Sequence, residues 1–399
     1  MRVRLNDLLF ALSTALDYVE REFFGITTNH GRRVGWLSLR LCQALGVSEA
    51  ASFDMACCAV LHDNALTAYA LTQDADRLAR LEHIARHCEL GERNVKDFPF
   101  LDDIRGIILN HHENWDGSGY YGLAGDDIPL RAAVLRLADN MDLALRLCEP
   151  RASLRDEIVE HLRALDGHVY SPQVSEAMLS ILDEELLSSF SHENITARLH
   201  AAIPAETYNM NERQLLGFCR VFAAIIDAKS HFTRTHSQGV AEKIARMTQH
   251  YRFPPETGEK LLIAAYLHDV GKLSTPLSIL EKHGKLSWEE FAVIREHVSI
   301  TRQILGQIHG LEEVARLGGS HHEKLDGTGY PDGARDDALS FEARLLCCCD
   351  IYQALTEDRP YRAGMRPAEA IGVMNGMAGK NEIDGSIVAG MAEVFASGV

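Results

Sequence analysis

The chain repeats itself over a distance that no short structural repeat spans. His30 matches His236 and His62-Asp63 matches His268-Asp269 at a shift of 206 residues. His87 matches His297, and His111-His112 matches His321-His322, at 210; Asp139 matches Asp350 at 211. The stretches after the paired histidines read "HHENWDGSGYYGL" and "HHEKLDGTGYPDG". Solenoid units recur every ~20–50 residues, so a period this long is a duplicated domain. The shift grows in small steps, as loop insertions between fixed elements make it do. The copies also end alike, over 164–182 and 376–395. The polar stretch between them places a first domain at 1–187, a linker at 188–210 and a second domain at 211–399.

Apolar residues recur at three-to-four spacing in "ERQLLGFCRVFAAIIDAKS", "SEAMLSILDEELL" and "AEKIARMTQHY", the period of an amphipathic helix. Alternating strand patterns are missing, and Gly, Pro and Asp gather at "DGTGYPDG" and "KLSTPLSIL", which read as loops. The expected fold is all-α, two tandem helical bundles. No apolar run reaches the ~18 residues of a membrane span. Asp7, Asp17 and Glu20 interrupt the N-terminal apolar stretch, which reads as a first helix rather than a signal peptide. The nine cysteines are odd in number and clumped, as in Cys57-Cys58 and Cys347-Cys348-Cys349. They form neither a disulfide framework nor a C-x-x-C zinc pair, and a reducing cytoplasm suits them. A net charge of -17 speaks against duplex nucleic acid as a partner, and it leaves an anionic substrate in need of local positive charge.

A lone histidine is ordinarily a satisfied core or surface residue. Here five histidines and two aspartates recur at nearly fixed offsets: His236, His268, Asp269, His297, His321, His322 and Asp350 in the second copy, and His30, His62, Asp63, His87, His111, His112 and Asp139 in the first. Shared ancestry keeps a fold but does not by itself keep surface histidines, so metal binding explains the set. Imidazole with carboxylate suits iron or manganese, with nickel, zinc or magnesium as alternatives. Seven ligands exceed one site that must also admit water, so two divalent ions sharing Asp269 are expected in an active domain.

"LHDVGK" (267–272), "HHEKLDGTGYPDG" and "CDIYQALTEDRPYR" (349–362) resemble the HD-GYP family, a branch of the HD-domain phosphohydrolases, over about 211–399. The resemblance implies a helical bundle and a metal-dependent phosphodiesterase acting on cyclic dinucleotides, cyclic di-GMP first among them. It makes the seven residues above metal ligands, with Asp269 and Lys272 catalytic. It also gives Lys272 a contact with substrate phosphate and makes Gly329-Tyr330-Pro331 the namesake loop, a contact surface for a signalling-domain partner. Arg359 and Arg362 are candidate substrate residues. Two positions depart from the family's trinuclear members: Phe232 stands where they carry Glu, and Gln353 where they carry a second Asp. A dinuclear site is therefore expected.

The first copy keeps all seven ligands and also Asp142, opposite Gln353, but Leu66 stands at the place of Lys272 and Tyr121 at that of Pro331. Its "NMDLALRLCEPRAS" replaces the "DRPYR" run. The second copy is expected to be catalytic and the first degenerate. The rival readings are a phosphodiesterase for 3′,3′-cyclic GMP-AMP or another nucleotide, and, in a different class, a nucleotide receptor of low turnover.

Overall fold

The computed structural model describes residues 3–25, 27–69, 81–203, 209–230, 235–358 and 363–396. Residues 4–209 make one compact unit, and the chain from 210 onward, with Val3, makes the other. Among the described residues the strands are two of two residues each, Val3–Arg4 and Asn209–Met210, which pair; the rest of the regular structure is helical, as expected. No helix among these residues is long and apolar enough to cross a membrane.

The first unit contains α1 (Leu5–Phe24), α2 (His30–Ala44), α3 (Glu49–Val60), α4 (Leu81–Val95), α5 (Leu130–Leu145), α6 (Leu154–Leu165), α7 (Pro172–Ile181), α8 (Glu184–Ser189) and α9 (Ile195–Ala202). Helix α2 is its axis. It packs on α3, α5, α7 and α9 and is buried along most of its length. Two glycines let α3 come close: a Cβ on Gly31 would lie 2.9 Å from the Val60 carbonyl oxygen, and one on Gly35 would lie 3.0 Å from that of Ala56.

Residues 188–203, expected as linker, belong to this unit. Ile195 and Leu199 are fully buried. The Trp36 indole donates to Ser189 Oγ at 2.7 Å and Arg32 donates to Thr196 Oγ1 at 2.8 Å. Polar residues that suggested a linker thus serve as internal hydrogen-bond partners.

The second unit contains α10 (Glu212–Asp227), α11 (His236–His250), α12 (Pro255–Leu267), α13 (Leu277–Leu280), α14 (Trp288–Leu305), α15 (Glu312–Gly318), α16 (Phe341–Thr356), α17 (Pro367–Ala378) and α18 (Gly385–Met391). Helix α11 packs on α12 and α16, and α12 packs on α10 and α15. Capping boxes start α10 at Asn211 and α14 at Ser287, satisfying backbone donors that the helix itself leaves open. After α12 the chain tightens into a 3₁₀ turn, Val270–Ser274, in part of the segment read as loop. Gly271 in that turn lies under α14, where a Cβ would meet the His297 carbonyl oxygen at 2.0 Å. Thr301 Oγ1 accepts from Gly271 N at 3.0 Å and donates to the His268 carbonyl at 2.9 Å. The first copy moves the small residue to the other partner, with Ala65 in the turn and Gly91 on the helix.

Candidate metal centres

In the second unit each ligand candidate sits at a helix end or turn that aims it inward. His236 opens α11, His268 caps the end of α12, His297 lies on α14, the His321-His322 pair forms the turn after α15, and Asp350 lies on α16. His268, His297 and His321 each donate Nδ1–H to the carbonyl three residues back, at 2.8, 2.5 and 2.6 Å. That bond fixes the tautomer and leaves Nε2 as a lone pair. The three Nε2 atoms face Asp269 at 3.2, 3.3 and 3.6 Å. Lone pairs therefore point at a carboxylate. His268 Nε2 and Asp269 Oδ1 are buried with no hydrogen-bond partner, a costly arrangement unless a cation joins them. His236 Nε2 lies 2.9 Å from Asp350 Oδ1. Three overlapping groups have the spacing to hold an ion: His236, His268 and Asp350; His268, Asp269 and His321; His297, His321 and His322.

Burial works against a charged Asp269, but His268 and Lys272 overcome it and hold the carboxyl well below the usual range. Burial pushes His321 well down and His322 to about 3, so both remain neutral donors. His236 goes the other way: burial is outweighed by Asp350 and Glu357, which raise it to about 10.

Lys272 reaches back one 3₁₀ turn to put Nζ 2.5 Å from Asp269 Oδ2. With His236, His322 and Asp350 it lines a cavity of about 270 Å³. The Gly-Tyr-Pro loop is close by: the Tyr330 ring lies 5.0 Å from that of His322, and the Arg295 guanidinium lies 4.7 Å over Tyr330. Much of the loop's signature is scaffold. Glu323 accepts from Asp332 N and Ala334 N at 2.6 and 2.9 Å, and Gly329 packs against the Lys324 backbone nitrogen, leaving no room for a Cβ. The first copy repeats this with Glu113, which accepts from Tyr121 N and Leu123 N at 2.8 and 2.7 Å. Arg359, Arg362 and Phe232 lie outside the described residues.

The first unit assembles the equivalent cluster. His62 and His111 donate Nδ1–H to Ala59 and Ile108 carbonyls at 2.8 and 2.6 Å. Asp63 lies 3.4 Å from His62 Nε2 and 3.4 Å from His87 Nε2, and Asp139 lies 3.2 Å from His30 Nε2. His30, His62 and His111 Nε2 are buried without partners. At the positions that match Lys272 and Arg295, however, this copy carries Leu66 and Ala85 in sequence.

The HD domain family matches the chain twice, over residues 24–181 and 220–387. This chain belongs to the HD-domain family. Its second copy carries the signature of the HD-GYP branch, and its His-Asp clusters are able to hold metal. The tandem HD protein is 29% identical to a 3′3′-cGAMP-specific phosphodiesterase of Vibrio cholerae, over 96% of this chain and 90% of the other. It is 36% identical to a cyclic di-GMP phosphodiesterase of Pseudomonas aeruginosa over 37% of this chain and 36% of the other. A crystal structure of a cyclic GMP-AMP specific phosphodiesterase from V. cholerae superposes with a TM-score of 0.70 at 25% identity, covering 100% of this chain and 99% of that one.

Four residues of the HD protein's centres escaped the sequence reading. Glu357 accepts from His236 Nδ1 at 3.1 Å and from the Gln353 amide at 3.1 Å. In the first copy Asp142 takes that role, 2.7 Å from His30 Nδ1 and paired with the buried Arg33. The orienting carboxylate has thus shifted by one helical turn between copies. Arg295 has no cationic counterpart to betray it. Cys88 has only Val298 as its match. Glu20, buried with Oε2 unpartnered, lies within electrostatic reach of His30, Asp63 and His62, but it stands before the first repeated motif.

Proposed function

We propose that the protein is a metal-dependent phosphodiesterase that opens a cyclic dinucleotide in its second HD domain, residues 211–399, while the first, residues 4–209, is a degenerate partner. The observation that carries this reading is the cavity in which Lys272 joins His236, His322 and Asp350 beside the convergent Nε2 lone pairs. His236, His268, Asp269, His297, His321, His322 and Asp350 would hold two divalent ions, iron or manganese by ligand chemistry, which when bound supply a nucleophilic hydroxide at neutral pH and polarise phosphoryl oxygens. The protein's own groups do the rest. The carbonyl-tethered imidazoles stay aimed, Lys272 offers positive charge to a nonbridging phosphoryl oxygen, and the Glu323-anchored loop holds Tyr330 against His322. Arg295, and Arg359 and Arg362 beyond the described residues, are candidate contacts for the nucleotide. The loop of Gly329, Tyr330 and Pro331 is the candidate contact for a signalling-domain partner, and free cysteines that are all buried suit work in the cytoplasm.

Between substrates, similarity along nearly the whole chain favours 3′3′-cGAMP over the cyclic di-GMP that the signature alone suggested. The test is turnover of 3′3′-cGAMP, cyclic di-GMP and cyclic di-AMP with products resolved by chromatography. A linear dinucleotide from 3′3′-cGAMP is expected, with no product from His268→Ala/Asp269→Ala. Cleavage of none of the three by metal-replete protein would overturn the assignment.

A further inference from the structure

Resting on the reading of the first copy as a metal centre, we infer that this centre takes a thiolate: Cys88, with His87, His111 and His112, forms a site for a thiophilic divalent cation of the zinc class. The Cys88 sulfur and one ring nitrogen of each histidine lie within 4.8 Å of one another. Cys88 Sγ is 3.6 Å from His87 Nε2. A tetrahedral zinc with bonds of about 2.3 Å to sulfur and about 2.05 Å to nitrogen has an S···N edge of about 3.6 Å. Sγ also lies 3.7 Å from the His111 ring at Nδ1. That nitrogen is committed to the Ile108 carbonyl at 2.6 Å, so the donor His111 offers is Nε2, which is buried and without a hydrogen-bond partner. Cys88 is itself fully buried.

The second copy has nothing equivalent. Its matching trio, His297, His321 and His322, is flanked by Val298, and a sulfur ligand shifts preference toward softer ions. The loss of Lys272 and Arg295 at Leu66 and Ala85 removes cations that would draw a phosphate. The two copies are therefore built for different cations, one catalytic and one held. On binding, the S–H bond breaks, a sulfur–metal bond forms, and the proton leaves to buffer.

The test uses the full chain carrying His268→Ala/Asp269→Ala, loaded with cobalt(II) and separately with zinc. A thiolate-to-cobalt charge-transfer band in the near ultraviolet is expected. It should vanish in Cys88→Ser, which should keep cobalt bound more weakly. X-ray absorption of the zinc form needs no cysteine variant and should show one sulfur at about 2.3 Å. Cobalt bound without the band, a band surviving Cys88→Ser, or zinc without sulfur would overturn the thiolate site and leave the first copy as a nitrogen and oxygen centre. Failure of this protein to bind either ion would overturn the reading of the first copy as a metal centre.

Discussion

Lys272 and Glu357 touch the same cluster through different members, Asp269 and His236. Lys272 lies against Asp269 and faces the cavity, so in the proposed reaction it would meet charge on a nonbridging phosphoryl oxygen. Glu357 takes the Nδ1 proton of His236, so it governs how basic the other nitrogen is toward a cation. The two substitutions should separate cleanly. Lys272→Ala is expected to keep its full metal content while kcat falls by ~10²–10³, measured by elemental analysis beside steady-state turnover. Glu357→Gln is expected to weaken metal retention ~10–100-fold, read by titration with a chelator; unchanged affinity would return His236 to the control of Asp350 alone. The clustered histidines were legible because they occur twice and the fold brings each set together. Glu357 and Cys88 were not, because each is used in one copy only and comparing copies therefore hides it. Asp142 was seen as a matched position, but its task of receiving His30 and Arg33 depends on side chains 109 and 112 residues away in sequence.

At the scale of elements, the helical period gave the architecture, and local chemistry decides where helices begin. Asp384 caps α18, accepting from Ser386 Oγ at 2.6 Å, Ser386 N at 2.9 Å and Ile387 N at 3.4 Å, and lies 3.3 Å from Arg344. Burial opposes its charge, yet these hydrogen bonds hold the carboxyl below its ordinary value of 3.8. A carboxyl depressed on folding stabilises the protein above its ordinary value, and that contribution is lost as pH falls through the folded value. Asp384→Ala is expected to cost about 1 kcal/mol at pH 7, and the gap from wild type should narrow as pH falls below the ordinary carboxyl value, as followed by urea denaturation across pH. The linker was misjudged at this same scale. Composition marks polar stretches as connectors, but α9 needs only Ile195 and Leu199 to bury itself on α2. Thr196 on α9 and Ser189 at the end of α8 find partners on that helix.

For the whole molecule, two near-complete ligand sets predict up to about four ions per chain. His268→Ala/Asp269→Ala is expected to lose about half of them and all turnover, whereas His62→Ala/Asp63→Ala is expected to lose the other half and keep the product chemistry. Elemental analysis with the substrate assay distinguishes these, and cleavage surviving only in the first variant would reverse the roles of the copies. The packing beneath the His-Asp pairs also bears on how such a gene can change. Duplicated sequences tend to be homogenised when one tract is copied over the other. A tract carrying the turn of the first copy into the second would set an alanine where Gly271 meets a backbone oxygen 2.0 Å from its Cβ position, against a helix that still bears Thr301 rather than glycine. Only a tract long enough to bring turn and helix together avoids that clash. Steric fit between residues 30 apart thus ties the turn to the helix that covers it, so that the two must change together.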